Sequence, residues 1–126
     1  MSDAIPLIRI AVEPAYVESQ SDPNRGHFVF AYTVTIQNEG TKAAQLISRH
    51  WVITDAYGGT QEVRGDGVVG EQPLLQPGQT FRYTSGTVLP TAVGTMHGSY
   101  QMIDADGAQF DAPIPTFTLS APRTLH

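Results

Sequence analysis

Hydrophobic and polar positions alternate with a period of two along most of the chain, which is typical of half-buried β-strands. The longest alternating segment covers residues 28–37, where large apolar side chains at every second position face smaller, hydroxyl-rich ones. A second segment surrounds Trp51, and its alternation places Trp51 on one face together with Ile47 and Ile53. Windows of about eleven residues carry no helical stripe of apolar positions anywhere. The pattern therefore predicts an all-β chain.

Prolines interrupt the alternation near both ends. Pro14 separates two apolar segments, residues 7–12 and 16–20. Because proline has no N–H to donate, we expect either two short strands here or one strand at a sheet edge. Further along, two prolines precede residues 116–119, which we expect to form an irregular edge strand.

Turn residues separate the remaining strands. Asp104-Ala105-Asp106-Gly107 is typical of a hairpin turn, and Gly58-Gly59 supplies the positive φ of a tight connection after the Trp51 strand. About seven strands at this spacing predict an antiparallel β-sandwich, immunoglobulin-like or fibronectin type III-like. A closed barrel is the structural alternative.

Composition limits the organisation of the chain. With 126 residues, of which 40% are hydrophobic, we predict a single domain over residues 1–126 with an ordered core at about 7–119. Cysteine is absent, which excludes disulfides and thiolate metal sites and agrees with a cytoplasmic location. The chain shows no signal-peptide pattern and no stretch of about 18 apolar residues, so we expect no membrane span.

Charge argues against nucleic acid as a partner. Seven Lys and Arg residues stand against twelve Asp and Glu residues, for a formal charge of −5. A protein that binds nucleic-acid backbones needs clustered cations, whereas here they are spread along the chain. We expect another protein as the partner, or alternatively a small phosphate-containing molecule.

One glycine-rich segment matches a binding motif. Gly65, Gly67 and Gly70 give the spacing G-x-G-x-x-G, which in dinucleotide-binding proteins brings backbone amides and a helix N-terminus to a pyrophosphate. The confirming helix is not expected, since Pro73 follows closely and no βαβ unit surrounds the motif. We interpret the segment as a loop that needs glycine dihedrals. The alternative is an anion nest of backbone amides assisted by Arg64.

Metal sites and catalytic sites receive little support. His27, His50 and His97 lie on separate strands, and isolated strand histidines are far more common than a metal triad. Asp104 and Asp106 resemble the opening of a calcium loop, but the Glu required near its twelfth position is missing. No nucleophile stands in a recognisable catalytic setting. We therefore predict no enzyme activity, no catalytic residue, no metal and no cofactor.

An ordered series of motifs spans nearly the whole chain and occupies residues 49–55, 63–73, 75–78, 81–86, 96–102 and 114–119. This series resembles the bacterial ApaG family, also called CorD. The resemblance implies a fibronectin type III-like sandwich, and similar domains of eukaryotic F-box proteins and of a polymerase-delta-interacting protein act in protein contacts. The bacterial genes commonly lie beside those for a diadenosine-tetraphosphate hydrolase and a ribosomal RNA dimethyltransferase, and the name CorD implies a link to cobalt and magnesium handling.

Two hypotheses of function follow. The first is a non-catalytic interaction module, monomeric or weakly oligomeric, that binds another protein through a sandwich edge or exposed loops. The second is a nucleotide or pyrophosphate sensor that uses the loop 64–70, with Arg64, Gly65, Gly67 and Gly70 as its ligand-binding residues. Direct binding of a divalent cation by Asp104, Asp106 and the histidines is a third, weaker idea.

Overall fold

A computed structural model describes residues 7–122. Within this range the chain forms eight β-strands, and two 3-10 turns lie between the first two of them. The strands are β1 (Ile8–Tyr16), β2 (Phe28–Asn38), β3 (Ala44–Asp55), β4 (Thr60–Asp66), β5 (Leu74–Leu75), β6 (Thr80–Leu89), β7 (Val93–Asp104) and β8 (Gln109–Ser120).

The strands form two antiparallel sheets. One sheet has the order β1-β2-β6, and the other has the order β4-β3-β7-β8 with β5 also paired to β3. The predicted all-β antiparallel sandwich is confirmed. The described residues hold eight strands instead of about seven, because β5 spans only two residues and leaves too short a pattern to detect. No helix within residues 7–122 is long and apolar enough to cross a membrane.

The inner faces of the two sheets enclose one aromatic-rich core. Trp51 lies at its centre and is 2% exposed. Three rings meet the indole at centroid distances of 5.3 Å for Tyr32, 5.9 Å for Phe117 and 6.4 Å for Tyr100, all in edge-on arrangements. Such contacts add stabilisation beyond the apolar area that the rings bury. Trp51 therefore joins β2 of one sheet to β7 and β8 of the other.

The predicted common face of Ile47, Trp51 and Ile53 is wrong for Ile47. The pairing of β3 with β7 shifts register between Leu46 and Ser48, which marks a β-bulge. An extra residue in one strand reverses the alternation on one side of it. Consequently Leu46 is buried with Trp51 and Ile53, whereas Ile47 stays partly exposed.

The prolines lie within edge strands. β1 continues through Pro14, which pairs with Tyr32 of β2, so the edge-strand alternative is confirmed. The predicted strand at residues 16–20 is wrong, because Glu18–Gln20 forms a 3-10 turn. β8 is one strand of twelve residues that includes Pro113 and Pro115. The predicted start of this strand at residue 116 is wrong, because β8 begins at Gln109 and contains both prolines. Its irregular pairing is confirmed, since the register with β7 shifts between Met96 and Gly98.

Candidate functional site

The glycine-rich segment is the end of a strand followed by a tight turn. Gly65 lies within β4, and the turn begins at Gly67. Val68 and Glu71 exchange two backbone hydrogen bonds of 2.8 and 2.9 Å, and the Val68 side chain is buried in the core. The chain then continues into β5 without forming a helix. We refer to residues 67–71 as the glycine turn.

Two of the glycines are required by their surroundings. Gly67 has φ of +62°, and a Cβ atom there would lie 2.3 Å from the carbonyl oxygen of Glu71. Gly65 lies within β4 and has no positive φ, but a Cβ atom on it would lie 2.8 to 2.9 Å from the guanidinium of Arg49. The first glycine thus permits the turn, and the second leaves room for an arginine against the backbone.

Arg49 is the functional candidate that the motif search missed. Its Nη1 donates hydrogen bonds to the carbonyl oxygens of Asp66, at 3.0 Å, and Gly67, at 2.8 Å. A signal for it was present in the sequence, because Arg49 shares the alternation of Trp51 and is a charged residue on a core-facing side. The structure therefore brings Gly65 and Gly67 together around a cation from the neighbouring strand.

Carbonyl oxygens at the start of the turn point toward Arg49, and three of the five amides of the turn already donate to backbone carbonyls. The N–H of Gly67 donates to the carbonyl oxygen of Ile47 at 2.8 Å. The N–H of Val68 donates to the carbonyl oxygen of Glu71, and the N–H of Glu71 donates to that of Val68. Arg64 is on the exposed strand β4, 3.7 Å from Glu62. Of the four predicted residues, Gly67 accepts a hydrogen bond from Arg49 and Gly65 lies against its guanidinium. Gly70 lines the cavity described next, whereas Arg64 does not.

A small cavity opens beside the glycine turn, between the two sheets. Its volume is about 280 Å³, and we call it the inner cavity. Tyr32, Trp51 and Tyr83 supply its aromatic part, and Arg49 and Ser85 supply polar groups. Ligand sites commonly combine apolar walls with a few such polar groups. Asp66, Val68, Val69 and Gly70 complete the lining.

A second, more open hollow lies on the outer face of the larger sheet and is lined by residues of β3, β4, β7 and β8. It has a volume of about 600 Å³, and we call it the outer hollow. Arg49, Arg64 and His50 line it together with two carboxylates, Asp66 and Asp111. The mixture of charges makes this hollow only partly positive. Arg49 lines both concavities.

Tyrosine hydroxyls form a buried polar group beneath the inner cavity. The hydroxyls of Tyr83 and Tyr100 are hydrogen-bonded at 2.5 Å. Burial raises the pKa of Tyr83 to about 12, although the bond to Tyr100 opposes this shift. Burial also raises the pKa of Tyr100 and of Tyr32, while the positive charge of Arg49 acts in the opposite direction on all three phenols. These phenols are therefore neutral at ordinary pH.

The histidines and turn aspartates do not assemble a metal site. Across residues 7–122, no three His, Asp or Glu side chains are grouped as metal ligands. His50 bonds to Glu62 at 2.7 Å, and this hydrogen bond lowers the pKa of Glu62. Asp104 Oδ1 accepts the N–H groups of Asp106 and Ala108, which confirms the predicted hairpin turn.

Comparison with known proteins identifies the family. The family model described as the ApaG domain matches residues 18–104. The chain belongs to the ApaG family. It is 68% identical over 120 residues to Protein ApaG of Azoarcus sp. (strain BH72), covering 94% of each chain. It is 58% identical over 126 residues to Protein ApaG of Pseudomonas aeruginosa (strain LESB58), with full coverage of both.

Solved structures agree with this assignment. The crystal structure of a protein from Bordetella pertussis has a TM-score of 0.91 and 55% identity, covering 94% of this chain and 97% of that one. A second X-ray structure has a TM-score of 0.88 and 50% identity, covering 94% and 90% of the two chains. The names of the ApaG relatives state no reaction.

Proposed function

We propose that this ApaG chain is a non-catalytic interaction module that receives an extended segment of a partner protein along β4 or β6. The observation that carries the proposal is the contrast between the two sides of the sandwich. β4 and β6 each have one hydrogen-bonded neighbour strand and lie at sheet edges. Unpaired edge strands are the usual place where a peptide adds to a sheet.

The edges on the opposite side are unsuited to strand addition. β1 carries Pro14, and β8 carries Pro113 and Pro115. Proline removes a donor from the strand edge, and proteins use it to prevent edge-to-edge association. β1 and β8 also lie against each other, whereas β4 and β6 contain no proline. The two proline-free edges are therefore the better docking strands.

Position-specific photo-crosslinking tests this proposal. A photo-reactive amino acid is placed at Val63 in β4 or Val88 in β6, both exposed, and the chain is added to an extract of Azoarcus. Control positions are Arg9 in β1 and Thr116 in β8, which are also exposed. We expect discrete protein adducts from the first pair only. Equal adducts from all four positions, or none from Val63 and Val88, would refute the proposal, and adducts of the chain with itself would indicate a dimer.

Anion sensing is the second candidate function. The outer hollow supports it, because Arg49, Arg64 and His50 line one concave surface beside Gly65. Since the amides of Gly67, Val68 and Glu71 already donate to carbonyls, arginine side chains are the better ligands for such an anion. NMR titration with ATP, GTP and diadenosine tetraphosphate, with and without magnesium, should shift Arg64, Gly65 and Gly67. Unchanged resonances at millimolar nucleotide would exclude this candidate.

Cobalt or magnesium handling and a cytoplasmic location stay predictions. For the cation, Asp104 and Asp106 are the residues to test, although Asp106 pairs with Lys42 and Asp104 Oδ1 accepts two turn amides. Calorimetry with cobalt and with magnesium should give saturable heat if the hairpin binds either ion. The Asp106→Asn variant, which removes one candidate carboxylate, should then give less heat or none.

A further inference from the structure

Arg49 differs from the other cations of the described chain in its charge balance. Within residues 7–122, five of the six Lys and Arg side chains lie within 4.0 Å of a carboxylate. Arg49 has no carboxylate at that distance among these residues, although it is partly buried and the protein carries a net charge of −5. Burying an arginine without a counter-charge is unfavourable. A carboxylate beside Arg49 would therefore be favourable, and the described residues supply none within 4.0 Å.

The hydrogen bonds of Arg49 define what is still available. The two bonds to the carbonyl oxygens of Asp66 and Gly67 both come from Nη1 and account for its two hydrogens. No hydrogen bond joins Nε or Nη2 to any residue that the structure describes. These two nitrogens form the side-on edge of a guanidinium, which matches the two oxygens of a carboxylate. The glycine turn thus fixes the arginine while leaving a bidentate edge unused.

We infer that Arg49 binds a glutamate or aspartate side chain of the partner segment, received in the inner cavity between β4 and β6. This assignment deepens the proposed function and rests on it. The hydroxyl-bearing side chains of Tyr32, Tyr83 and Ser85 line the same cavity, and hydroxyls can donate to the second face of a carboxylate.

The size and charge of the cavity favour a carboxylate over a phosphate group. A volume of about 280 Å³ lies at the lower end of the range for small-molecule sites, so it suits one side chain and is too small for a nucleotide. Asp66 also lines the cavity, and it would repel a doubly charged phosphate more than a singly charged carboxylate. The volume therefore argues against a whole nucleotide, and the charge of Asp66 argues against a phosphate group.

The test is an NMR titration of the full ¹⁵N-labelled chain at constant ionic strength. The probes are N-acetylglutamate α-amide, its neutral isostere N-acetylglutamine amide, and inorganic phosphate. With the glutamate compound we expect saturable shifts of the Arg49 Nε–H resonance and of the Gly65 and Gly67 amides. The glutamine compound should give none. Equal shifts from the glutamate and glutamine compounds, no shift from either compound, or tighter binding of phosphate would each overturn the assignment.

Variants separate the arginine's fork from its charge. Arg49→Gln should lower affinity for the glutamate probe by about tenfold or more, and Arg49→Lys should lower it nearly as much because lysine lacks the planar fork. Arg9→Gln is the matched control, since Arg9 is exposed, lies in β1 and is 3.3 Å from Glu39, and it should bind as the parent does. A loss of binding in Arg9→Gln equal to that in Arg49→Gln would contradict the assignment. The parent titration stands even if an Arg49 variant folds poorly.

The outcome can be distinguished from failure of the proposed function. If crosslinks form at β4 and β6 but the titration shows no shifts, docking along the edges stands and the carboxylate site is wrong. If the titration succeeds while crosslinks form equally on both sides, the carboxylate site stands and docking along the edges is wrong.

Discussion

Different interactions hold the two sides of the sandwich, the β1/β8 side and the β4/β6 side. On the β1/β8 side the two strands contact each other, and apolar side chains of both pack against the core, namely Ile8, Ile10 and Val12 of β1 and Phe110 and Phe117 of β8. On the β4/β6 side, the glycine turn covers the opening. Gly67 and Val68 are the buried residues of that turn, and only Val68 adds an apolar side chain to the core. The turn is otherwise held by polar contacts to Arg49 and Ile47.

One side of the sandwich is held mainly by apolar packing, and the other mainly by hydrogen bonds. Apolar packing is insensitive to charge and is lost only when the core opens. On the β4/β6 side, the bonds from Arg49 Nη1 to backbone carbonyls hold the arginine in place, and its Nε and Nη2 groups have no hydrogen bond to the described residues. A partner can therefore bind there without breaking the contacts of the glycine turn. We therefore expect the β1/β8 side to behave as structure and the β4/β6 side as a binding surface that responds to pH.

The largest expected effect is that of Gly67→Ala on the β4/β6 side. The added Cβ would meet the Glu71 carbonyl oxygen at 2.3 Å, and φ is +62°. We expect a loss of about 3 kcal/mol or more in the free energy of unfolding, measured by urea denaturation. Gly70→Ala is the control, because its φ is +80° but no atom lies within 4 Å, and it should cost about 1–2 kcal/mol. Equal losses would mean that the clash is relieved by movement of the turn.

Shortening an apolar side chain on the β1/β8 side should lower the free energy of unfolding slightly less than Gly67→Ala, and the loss should not depend on pH. Ile10→Ala removes a partly buried side chain packed on the core, for which we expect a loss of about 2 kcal/mol. The loss should be the same at neutral and alkaline pH, and the Arg49 Nε–H resonance should not move. A shift of that resonance would show that the two sides are coupled and would weaken the comparison.

Alkaline pH should destabilise the β4/β6 side through the buried phenols. The pKa of Tyr83 is raised to about 12 in the folded chain, above its ordinary value of 10.0. Its contribution is therefore complete below pH 10 and is lost as pH rises toward 12, by about 2 kcal/mol. Tyr83→Phe should flatten this loss in urea denaturation curves measured across that range. Identical alkaline losses in the parent and the variant would contradict the assignment to Tyr83.

The smallest expected effect concerns acid pH and β4. The hydrogen bond from His50 lowers the pKa of Glu62 below its ordinary value. The stabilisation is therefore present above that ordinary value and is lost as pH falls through the folded pKa. Because Glu62 is exposed, the effect is small. The melting temperature of the parent should fall toward that of Glu62→Gln in acid. A constant difference between the two would argue against the ion pair.

Much of the fold was predictable because local pattern carries it. The alternation at residues 28–37 and the Asp104–Gly107 turn follow from strand periodicity and turn chemistry, and both are confirmed. Ile47 was misplaced because a bulge is decided by how two strands pair, which single-strand alternation does not encode. The strand predicted at residues 16–20 was likewise replaced by a 3-10 turn.

The candidate site was only half predictable. The spacing of Gly65 and Gly67 marks the right segment, since glycine is needed wherever φ is positive or another group approaches closely. The motif says nothing about which group approaches, and in this chain it is Arg49 of the neighbouring strand. Arg64, adjacent in sequence, projects from an exposed strand and lines the outer hollow instead.

The sequence by itself determined the all-β class, most of the strands and the hairpin turns, because these depend on side chains within a few residues of one another. The choice of a sandwich over a closed barrel was decided by the pairing of strands. Only the tertiary structure decided that Arg49 lies on Gly65 without a carboxylate within 4.0 Å among the described residues, and that the prolines of β1 and β8 fall on the same side. Such neighbours are distant along the chain, and the pairing of strands alone brings them together.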